Sequence, residues 1–402
     1  MAPPEPDRTA EMVRETDLAS KVSLLSLHET DDRRIRPLSA DACSLLSCSR
    51  PRVVYGSWRS RFSPRRVRPS DRDYQSVPTV WIDCPHQTIT VREMYFGTRE
   101  LFEYFSCVAC ETLQIVNVIE GDELKRFYPP DYYSYNVAAQ SKALRWLTAQ
   151  KDRFELHIGG RPVGALIAAL PPGVRSLIGT HDASGDVVRI LGRLGIKLGA
   201  RILDVGCGGG ALLDRLARVG FNNLFGADPF IAADSETALG VPLMKRDLSE
   251  VTGEFDLIMF NHSLEHVPDM VATLKAAHER LVAGGICLVR LPTTSSEAWT
   301  IYGADWMNLD APKHIVIPSR QGMALAADTA GLRLEKSFDD SNSGQFIGSE
   351  AYRRDIPLNQ LTSLGYVVRT FGLKRIWDWE RRATRLNRQC RGDMTGFVLK
   401  TK

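Results

Sequence analysis

The residues best suited to chemistry are an acid followed by glycines in one short segment. Positions 201–210 read RILDVGCGGG, an apolar strand pattern that continues directly into the helical pattern ALLDRLARVG. Glycine is required where a chain turns sharply while its backbone approaches a ligand closely. Asp204 ends the predicted strand, and Gly206 and Gly208 follow it. This spacing predicts a small-molecule site at the carboxyl end of a parallel strand.

Two further acids end the next two predicted strands. Asp228 follows LFGA, 24 residues after Asp204, where a carboxylate accepts ribose hydroxyls in a doubly wound sheet. Asp247 follows LMKR, and with the Leu248 amide it is expected to recognise an adenine edge. A carboxylate at Asp204 suits a cationic, amino-acid-bearing ligand such as S-adenosylmethionine better than it suits a pyrophosphate. For each acid taken alone, a solvated loop position is the alternative.

Strands and helices alternate from Ala200 onward, and these elements must position the acids. Beside the strand that ends at Asp247, the sequence predicts strands at 201–205, 223–227, 255–260, 286–291, 332–338 and 396–401. It predicts helices at 137–150, 186–198, 211–219, 270–281, 321–330 and 373–389. This alternation indicates an α/β fold with a doubly wound, mostly parallel, seven-stranded sheet.

The order of these motifs resembles that of the class I S-adenosylmethionine-dependent methyltransferase family. FDLIMFNHSLEHVPD at 255–269 is similar to the fourth-strand motif of its small-molecule branch, and LVAGGICLVRLPT at 281–293 to its strand-five motif. The resemblance implies a Rossmann-like fold, S-adenosylmethionine as cofactor and methyl transfer to a small-molecule acceptor, with a sugar or nucleotide-linked sugar preferred. It also implies that the cofactor is lined by Gly206, Gly208, Asp228, Asp247 and Asn261.

Three histidines are candidates for removing a proton from the acceptor. His262 and His266 follow the fourth predicted strand, and His314 lies in LDAPKH, within a segment that resembles the W…LDxPxH segment of bacterial methyltransferases. Imidazole titrates near neutral pH, which suits a general base. We rank His266 first, followed by His262 and His314, and expect Glu265 to support the loop. A purely structural role is the alternative for each histidine.

A cysteine pair lies upstream in a segment with a related resemblance. Residues 96–114, FGTRELFEYFSCVACETLQ, resemble a module of related methyltransferases that carries a CxxC, an FGTRE-like segment and a CxxCG. Cys107 and Cys110 have the spacing of a zinc knuckle, Cys84 lies upstream, and His86 is a candidate fourth ligand.

The same segment departs from the module at two positions. Gln87 stands where the second cysteine of the first pair is expected, and Glu111 stands where glycine follows the second pair. Both structural zinc and a degenerate ribbon held by its own packing therefore stay open. We expect a disordered basic leader at 1–78, the ribbon-like module at 79–135, and a methyltransferase domain at 136–402 with a C-terminal helical insertion and the last strand.

Composition limits the remaining choices. A chain of 402 residues with 44% hydrophobic and 25% charged residues is typical of a globular protein, and a net charge of +3 does not by itself indicate a nucleic-acid partner. The sequence after the fourth strand, NHSL, lacks the NPPY-type motif of nucleic-acid methyltransferases. No run of about 18 apolar residues appears, so no membrane partner is expected. Eight cysteines and an amino terminus without an apolar signal indicate a reducing, cytoplasmic setting.

Two other functions remain open from the residues alone. An NAD-dependent oxidoreductase would have the same doubly wound sheet, and Gly206, Gly208 and Ala211 also match its GxGxxA motif. A methyltransferase fold that binds cofactor or a partner without turnover is the second alternative. The sequence indicates no oligomeric state, no acceptor identity and no methylated atom.

Overall fold

The computed structural model describes residues 86–119, 121–128, 141–170, 187–361 and 363–402. The expected disordered leader and Cys84 lie outside these ranges. For His86 the backbone is described, while its side chain lies outside what the structure describes.

Twelve strands occur in the described part of the chain. They are β1 (His86–Arg92), β2 (Leu101–Cys107), β3 (Leu113–Ile115), β4 (Ile202–Val205), β5 (Leu224–Ala227), β6 (Ser235–Glu236), β7 (Pro242–Met244), β8 (Phe255–Asn261), β9 (Leu281–Pro292), β10 (Val316–Ile317), β11 (Leu332–Asp339) and β12 (Met394–Thr401).

The same ranges contain eleven α-helices. They are α1 (Gly121–Lys125), α2 (Lys142–Glu155), α3 (Val163–Ala169), α4 (Val187–Leu194), α5 (Ala211–Val219), α6 (Met270–Glu279), α7 (Glu297–Tyr302), α8 (Arg320–Thr329), α9 (Gly344–Arg353), α10 (Leu364–Phe371) and α11 (Leu373–Arg388).

Eight strands form the large sheet, in the order β11-β12-β9-β8-β4-β5-β7-β6. Strands β7, β5, β4, β8 and β9 are mutually parallel, whereas β12 runs antiparallel to both of its neighbours. The predicted mostly parallel, seven-stranded α/β sheet is confirmed, and the two-residue strand β6 adds an antiparallel edge. All four residues of β4 are buried, as expected for a strand covered by helices on both faces.

Several element boundaries differ from the sequence prediction. The third strand of the parallel set ends at Met244, three residues before Asp247. Helix α2 begins five residues later than predicted because Ser141 caps it, accepting a hydrogen bond from the Leu144 amide. Helix α4 ends at Leu194 instead of 198. Helix α5 has the predicted bounds.

A second, four-stranded sheet joins the amino-terminal strands to a later segment. Its order is β1-β2-β3-β10, with antiparallel pairing throughout. Strand β10 follows β9 in the chain, so residues after the fifth strand of the large sheet pair with the predicted ribbon-like module. The Tyr104 hydroxyl donates to the His314 carbonyl at 2.8 Å. The small sheet therefore fixes the segment that carries His314.

None of the helices in the described ranges combines the length and the apolar character that crossing a membrane requires.

Candidate active site

The glycine loop turns at the carboxyl end of β4. Gly206 and Gly208 have φ values of 76° and 51°, which glycine adopts without strain. A Cβ on Gly206 would lie 2.4 Å from the Ser263 Cβ. The Ser263 hydroxyl in turn donates to the Val205 carbonyl at 2.6 Å. The loop that follows β8 thus packs directly on the glycine loop, and only glycine permits that approach.

Asp204 is buried beneath this loop, with 4% of its surface exposed. Burial, followed by the nearby Asp228 carboxylate, raises the pKa of Asp204 to about 7. A cationic ligand would favour the ionised form of this acid, whereas a pyrophosphate would oppose it. The acid therefore fits the sulfonium and amino groups of S-adenosylmethionine.

Asp228 shapes the loop at the end of β5. One carboxylate oxygen accepts a hydrogen bond from the Gly208 amide at 2.9 Å, and the other from the Phe230 amide at 2.8 Å. The side chain is thus oriented at the glycine loop, beside the position predicted for the ribose.

The other two predicted cofactor contacts are placed differently. Asp247 is exposed and caps a short 3₁₀ turn, accepting from the Ser249 amide at 2.9 Å, while Leu248 is buried. The amide oxygen of Asn261 accepts a hydrogen bond from the guanidinium of Arg290. Asp247 is thus held by its local cap, and Asn261 by an arginine that also forms an ion pair with Asp340. That either residue contacts the cofactor stays a prediction.

The three predicted histidines converge, together with Glu265, into what we call the histidine cluster: His262, Glu265, His266 and His314. The rings of His266 and His314 lie 4.8 Å apart between centroids. The Ile315 amide donates to the Glu265 carbonyl at 2.7 Å, which brings the two segments together.

Backbone carbonyls hold two of these rings. The Nδ1 atom of His266 lies 2.9 Å from the Lys313 carbonyl oxygen, and the Nδ1 atom of His314 lies 2.7 Å from that of Asn308. Burial, and then the neighbouring His314, lowers the pKa of His266 to about 4. His266 is therefore neutral at physiological pH and a weak base.

His262 is partly exposed, with 31% of its side chain accessible to solvent. Its backbone has a φ of 58°, a left-handed conformation that is uncommon outside glycine and often marks a functional position. Its Nδ1 atom lies 3.7 Å from a carboxylate oxygen of Glu265.

Tyr128 is a contributor that the sequence reasoning missed. Its hydroxyl lies 3.1 Å from the His266 Nδ1 atom, and its ring stacks on Phe230 with centroids 6.1 Å apart. Phe230 follows Asp228 by two residues and is 60% exposed. The tyrosine thus links the cofactor side to the histidine cluster. Its only signal in the sequence is its place at the start of the tyrosine-rich stretch YPPDYYSY, residues 128–135.

The tryptophan of the W…LDxPxH segment supports the site from the core. Trp306 is fully buried, and its indole nitrogen donates to a carboxylate oxygen of Asp393 at 3.2 Å. The Asn308 side-chain amide donates to the same oxygen at 2.7 Å. Trp306 therefore packs into the domain, whereas His314 of the same segment lies in the histidine cluster.

The cysteine pair forms a tight turn at the end of β2. Cys107 and Cys110 are both buried, and the Glu111 amide donates to the Cys107 carbonyl at 2.8 Å. Glu111 has a φ of 58° at the position where the related module carries glycine. The β1–β2 register sets the backbone of His86 opposite Cys107. Because Cys84 lies outside the described ranges, zinc binding here stays a prediction.

Comparison with known proteins gives one family match and several relatives. A family described as "Methyltransferase domain" matches residues 169–337. The ubiquinone biosynthesis O-methyltransferase of Cereibacter sphaeroides is 34% identical over 128 residues, which cover 29% of this chain and 51% of that protein. The enzyme of the same name from Ruegeria pomeroyi is 33% identical over 139 residues, covering 31% and 55%. The chain thus spans about half the length of these curated relatives.

Among solved structures, a cyclopropane synthase from Mycobacterium tuberculosis is 16% identical, with a TM-score of 0.34; the alignment covers 53% of this chain and 84% of that one. The match at 169–337 includes the glycine loop, Asp228 and the loop that follows β8. With the strand order of the large sheet in agreement, residues 169–337 are a methyltransferase domain of the class I S-adenosylmethionine-dependent type.

Proposed function

We propose that this protein transfers a methyl group from S-adenosylmethionine to a hydroxyl oxygen of a small-molecule acceptor. The observation that carries the proposal is the packing of Ser263 on Gly206, since it sets the histidine cluster beside the cofactor loop. Methyl transfer is an in-line displacement that requires the nucleophile to be held on axis. The names of the curated relatives, which are O-methyltransferases, support oxygen as the methylated atom.

A sugar or nucleotide-linked sugar is the acceptor class that we propose first. Neither the Asp310 Oδ1 atom nor the Tyr352 hydroxyl has a hydrogen-bond partner among the described residues, although both atoms are buried. Asp310 lies beside the cluster, with a carboxylate oxygen 3.9 Å from the His314 Nε2 atom. Buried polar atoms without partners suit an acceptor rich in hydroxyl groups. A compound of ubiquinone biosynthesis, which the relatives' name suggests, is the second class.

We assign the proton-accepting role to His262 within the predicted trio. It is exposed enough to reach an acceptor, and its Nδ1 atom lies beside the Glu265 carboxylate. Backbone carbonyls hold the rings of His266 and His314 in place. His262→Gln should lower kcat by about 100-fold, within the range for loss of a general base, with little change in cofactor affinity.

Calorimetric titration with S-adenosylmethionine, S-adenosylhomocysteine and NAD tests the cofactor assignment. We expect micromolar binding of the first two ligands and none of NAD. Asp228→Ala should weaken binding at least tenfold, or about 1.4 kcal/mol. Asp228→Asn is the matched control. Its side-chain oxygen can still accept a hydrogen bond from a loop amide, whereas the negative charge of Asp228 is removed.

Transfer of a labelled methyl group to a panel of sugars, nucleotide sugars and phenols then tests the acceptor class. Binding of cofactor with no methylated acceptor would favour a non-catalytic binding protein. Failure of both methionine-derived ligands to bind would reject the proposed function. Binding of NAD instead would favour the oxidoreductase.

A further inference from the structure

Glu265 is a carboxylate whose surroundings leave it without hydrogen bonds. The residue is 0% exposed, and neither carboxylate oxygen has a hydrogen-bond partner among the described residues. The nearest histidine nitrogen, Nδ1 of His262, is 3.7 Å away, which is beyond hydrogen-bond distance. Buried carboxylates are ordinarily paired or coordinate a metal ion, because an uncompensated buried charge is strongly destabilising.

Two imidazoles lie near this carboxylate, that of the next residue, His266, and that of His314 from a separate part of the chain. One potential ligand atom from each of Glu265, His266 and His314 lies within 4.8 Å of the other two. The hydrogen bond between Ile315 and Glu265 fixes the approach of the second segment. Tertiary packing therefore brings His314 to the pair that the chain itself places together.

The hydrogen bonds of the two rings match those of metal-bound histidines. In each ring Nδ1 is within hydrogen-bond distance of a backbone carbonyl, that of Lys313 for His266 and that of Asn308 for His314. A carbonyl only accepts, so each Nδ1 carries the proton and each Nε2 has a lone pair. Metal-ligating histidines are oriented in this way by the groups behind them.

We propose that Glu265, His266 and His314 bind a divalent first-row transition metal ion, with Zn²⁺ as the probe. Two imidazoles and one carboxylate are a known ligand set for such ions. Tetrahedral ligands at about 2.1 Å from zinc lie about 3.4 Å apart, so the three atoms move together on binding. Given the proposed function, a metal ion held by these residues would lower the pKa of an acceptor hydroxyl bound to it, and His262 would accept the proton.

Titration of the metal-free full chain with Zn²⁺ in a calorimeter tests the site, and Co²⁺ spectra identify the ligand type. Co²⁺ held by nitrogen and oxygen lacks the thiolate charge-transfer band that binding at Cys107 and Cys110 would produce. We expect the wild type to bind one Co²⁺ ion whose spectrum lacks the thiolate charge-transfer band. Glu265→Gln and His314→Gln should each weaken binding there at least tenfold, whereas His157→Gln, at an exposed histidine elsewhere, should not.

Equal affinity in wild type, Glu265→Gln and His314→Gln, or a thiolate band alone, would overturn the metal site. Each variant is checked by its melting temperature and by its affinity for S-adenosylhomocysteine, and His314→Gln decides the matter if Glu265→Gln does not fold. Loss of the metal site with intact cofactor binding rejects only this inference. Absence of cofactor binding in the wild type rejects the proposed function whatever the metal result.

Discussion

The cofactor loop, residues 204–210, and the histidine cluster lie side by side at the carboxyl ends of β4 and β8. Their polar groups differ in which parts of the chain supply their hydrogen-bond partners. The carboxylate of Asp228 is satisfied by amides of the adjacent loops, Gly208 and Phe230. In the cluster, His266 and His314 depend on carbonyls from the segment after β9, and Glu265 has no hydrogen-bond partner among the described residues.

This difference separates a site that a local motif builds from one that depends on packing. The turn of the cofactor loop is formed by one strand, its glycines and one helix start, and Asp228 and Ser263 pack on it from the ends of β5 and β8. The cluster needs the loop after β8, the segment after β9 and the small sheet to meet. Its unpartnered Glu265 carboxylate also leaves the cluster with capacity for a further ligand.

The largest effect is expected where the two regions touch. In Gly206→Ala the new Cβ would meet the Ser263 Cβ at 2.4 Å with φ at 76°, so the loop must move. We expect affinity for S-adenosylhomocysteine to fall at least 100-fold, about 2.7 kcal/mol, measured by calorimetry. Gly284→Ala is the control, since its φ is 77° and nothing lies within 4 Å of the added Cβ. Equal losses in both variants would show that φ strain, not contact with Ser263, governs the loop.

A core substitution should affect the cluster side alone. Trp306→Phe removes a buried indole and its hydrogen bond to Asp393. We expect the free energy of unfolding to fall by about 2–3 kcal/mol, from a cavity and a lost charge-assisted hydrogen bond. Urea unfolding measures the stability, and affinity for S-adenosylhomocysteine should change less than twofold. A parallel loss of cofactor affinity would mean that the two regions are not independent.

The cofactor side has a pH signature of its own. The pKa of Asp204 is about 7 in the folded protein and about 3.9 in an unfolded chain. Between these values the folded state keeps a proton that the unfolded state has released. Folding should therefore weaken with rising pH, by about 1 kcal/mol per unit and roughly 2 kcal/mol from pH 5 to 7.

Asp204→Asn should remove that slope, and comparison of unfolding curves at pH 5 and pH 7 measures it. The variant should also bind S-adenosylmethionine more weakly, because it lacks the carboxylate that favours the cationic ligand. Identical slopes in the wild type and the variant would contradict the assignment of the buried acid.

The smallest effect concerns the cysteine turn that lies beside the small sheet. Glu111 is exposed and has a φ of 58°, so Glu111→Gly should relieve backbone strain and raise the free energy of unfolding by about 0.5–1 kcal/mol. Glu111→Ala keeps the Cβ and should show no such gain. Chemical unfolding of both variants measures the difference. A gain in the alanine variant would attribute the effect to the lost charge instead.

Much of the sheet and the cofactor loop could be predicted from local pattern. Helix α5 has its predicted bounds because a glycine turn precedes it and its leucines repeat at helical spacing. The third strand was harder, since only Pro242–Met244 pair in the sheet and the following residues turn toward Asp247. The orientation of Asn261 toward Arg290 had no local signal, because that partner lies on the neighbouring strand.

The sequence by itself determined the fold class, the glycine loop and the acids that follow it, since each depends on residues close in the chain. It also named the three histidines as candidates. Only the tertiary structure brought His314 to Glu265, through the hydrogen bond between Ile315 and Glu265, and Tyr128 to His266, because these partners lie far apart in the chain. Burial, which exists only in the folded chain, encloses the Glu265 carboxylate without a hydrogen-bond partner among the described residues and raises the pKa of Asp204.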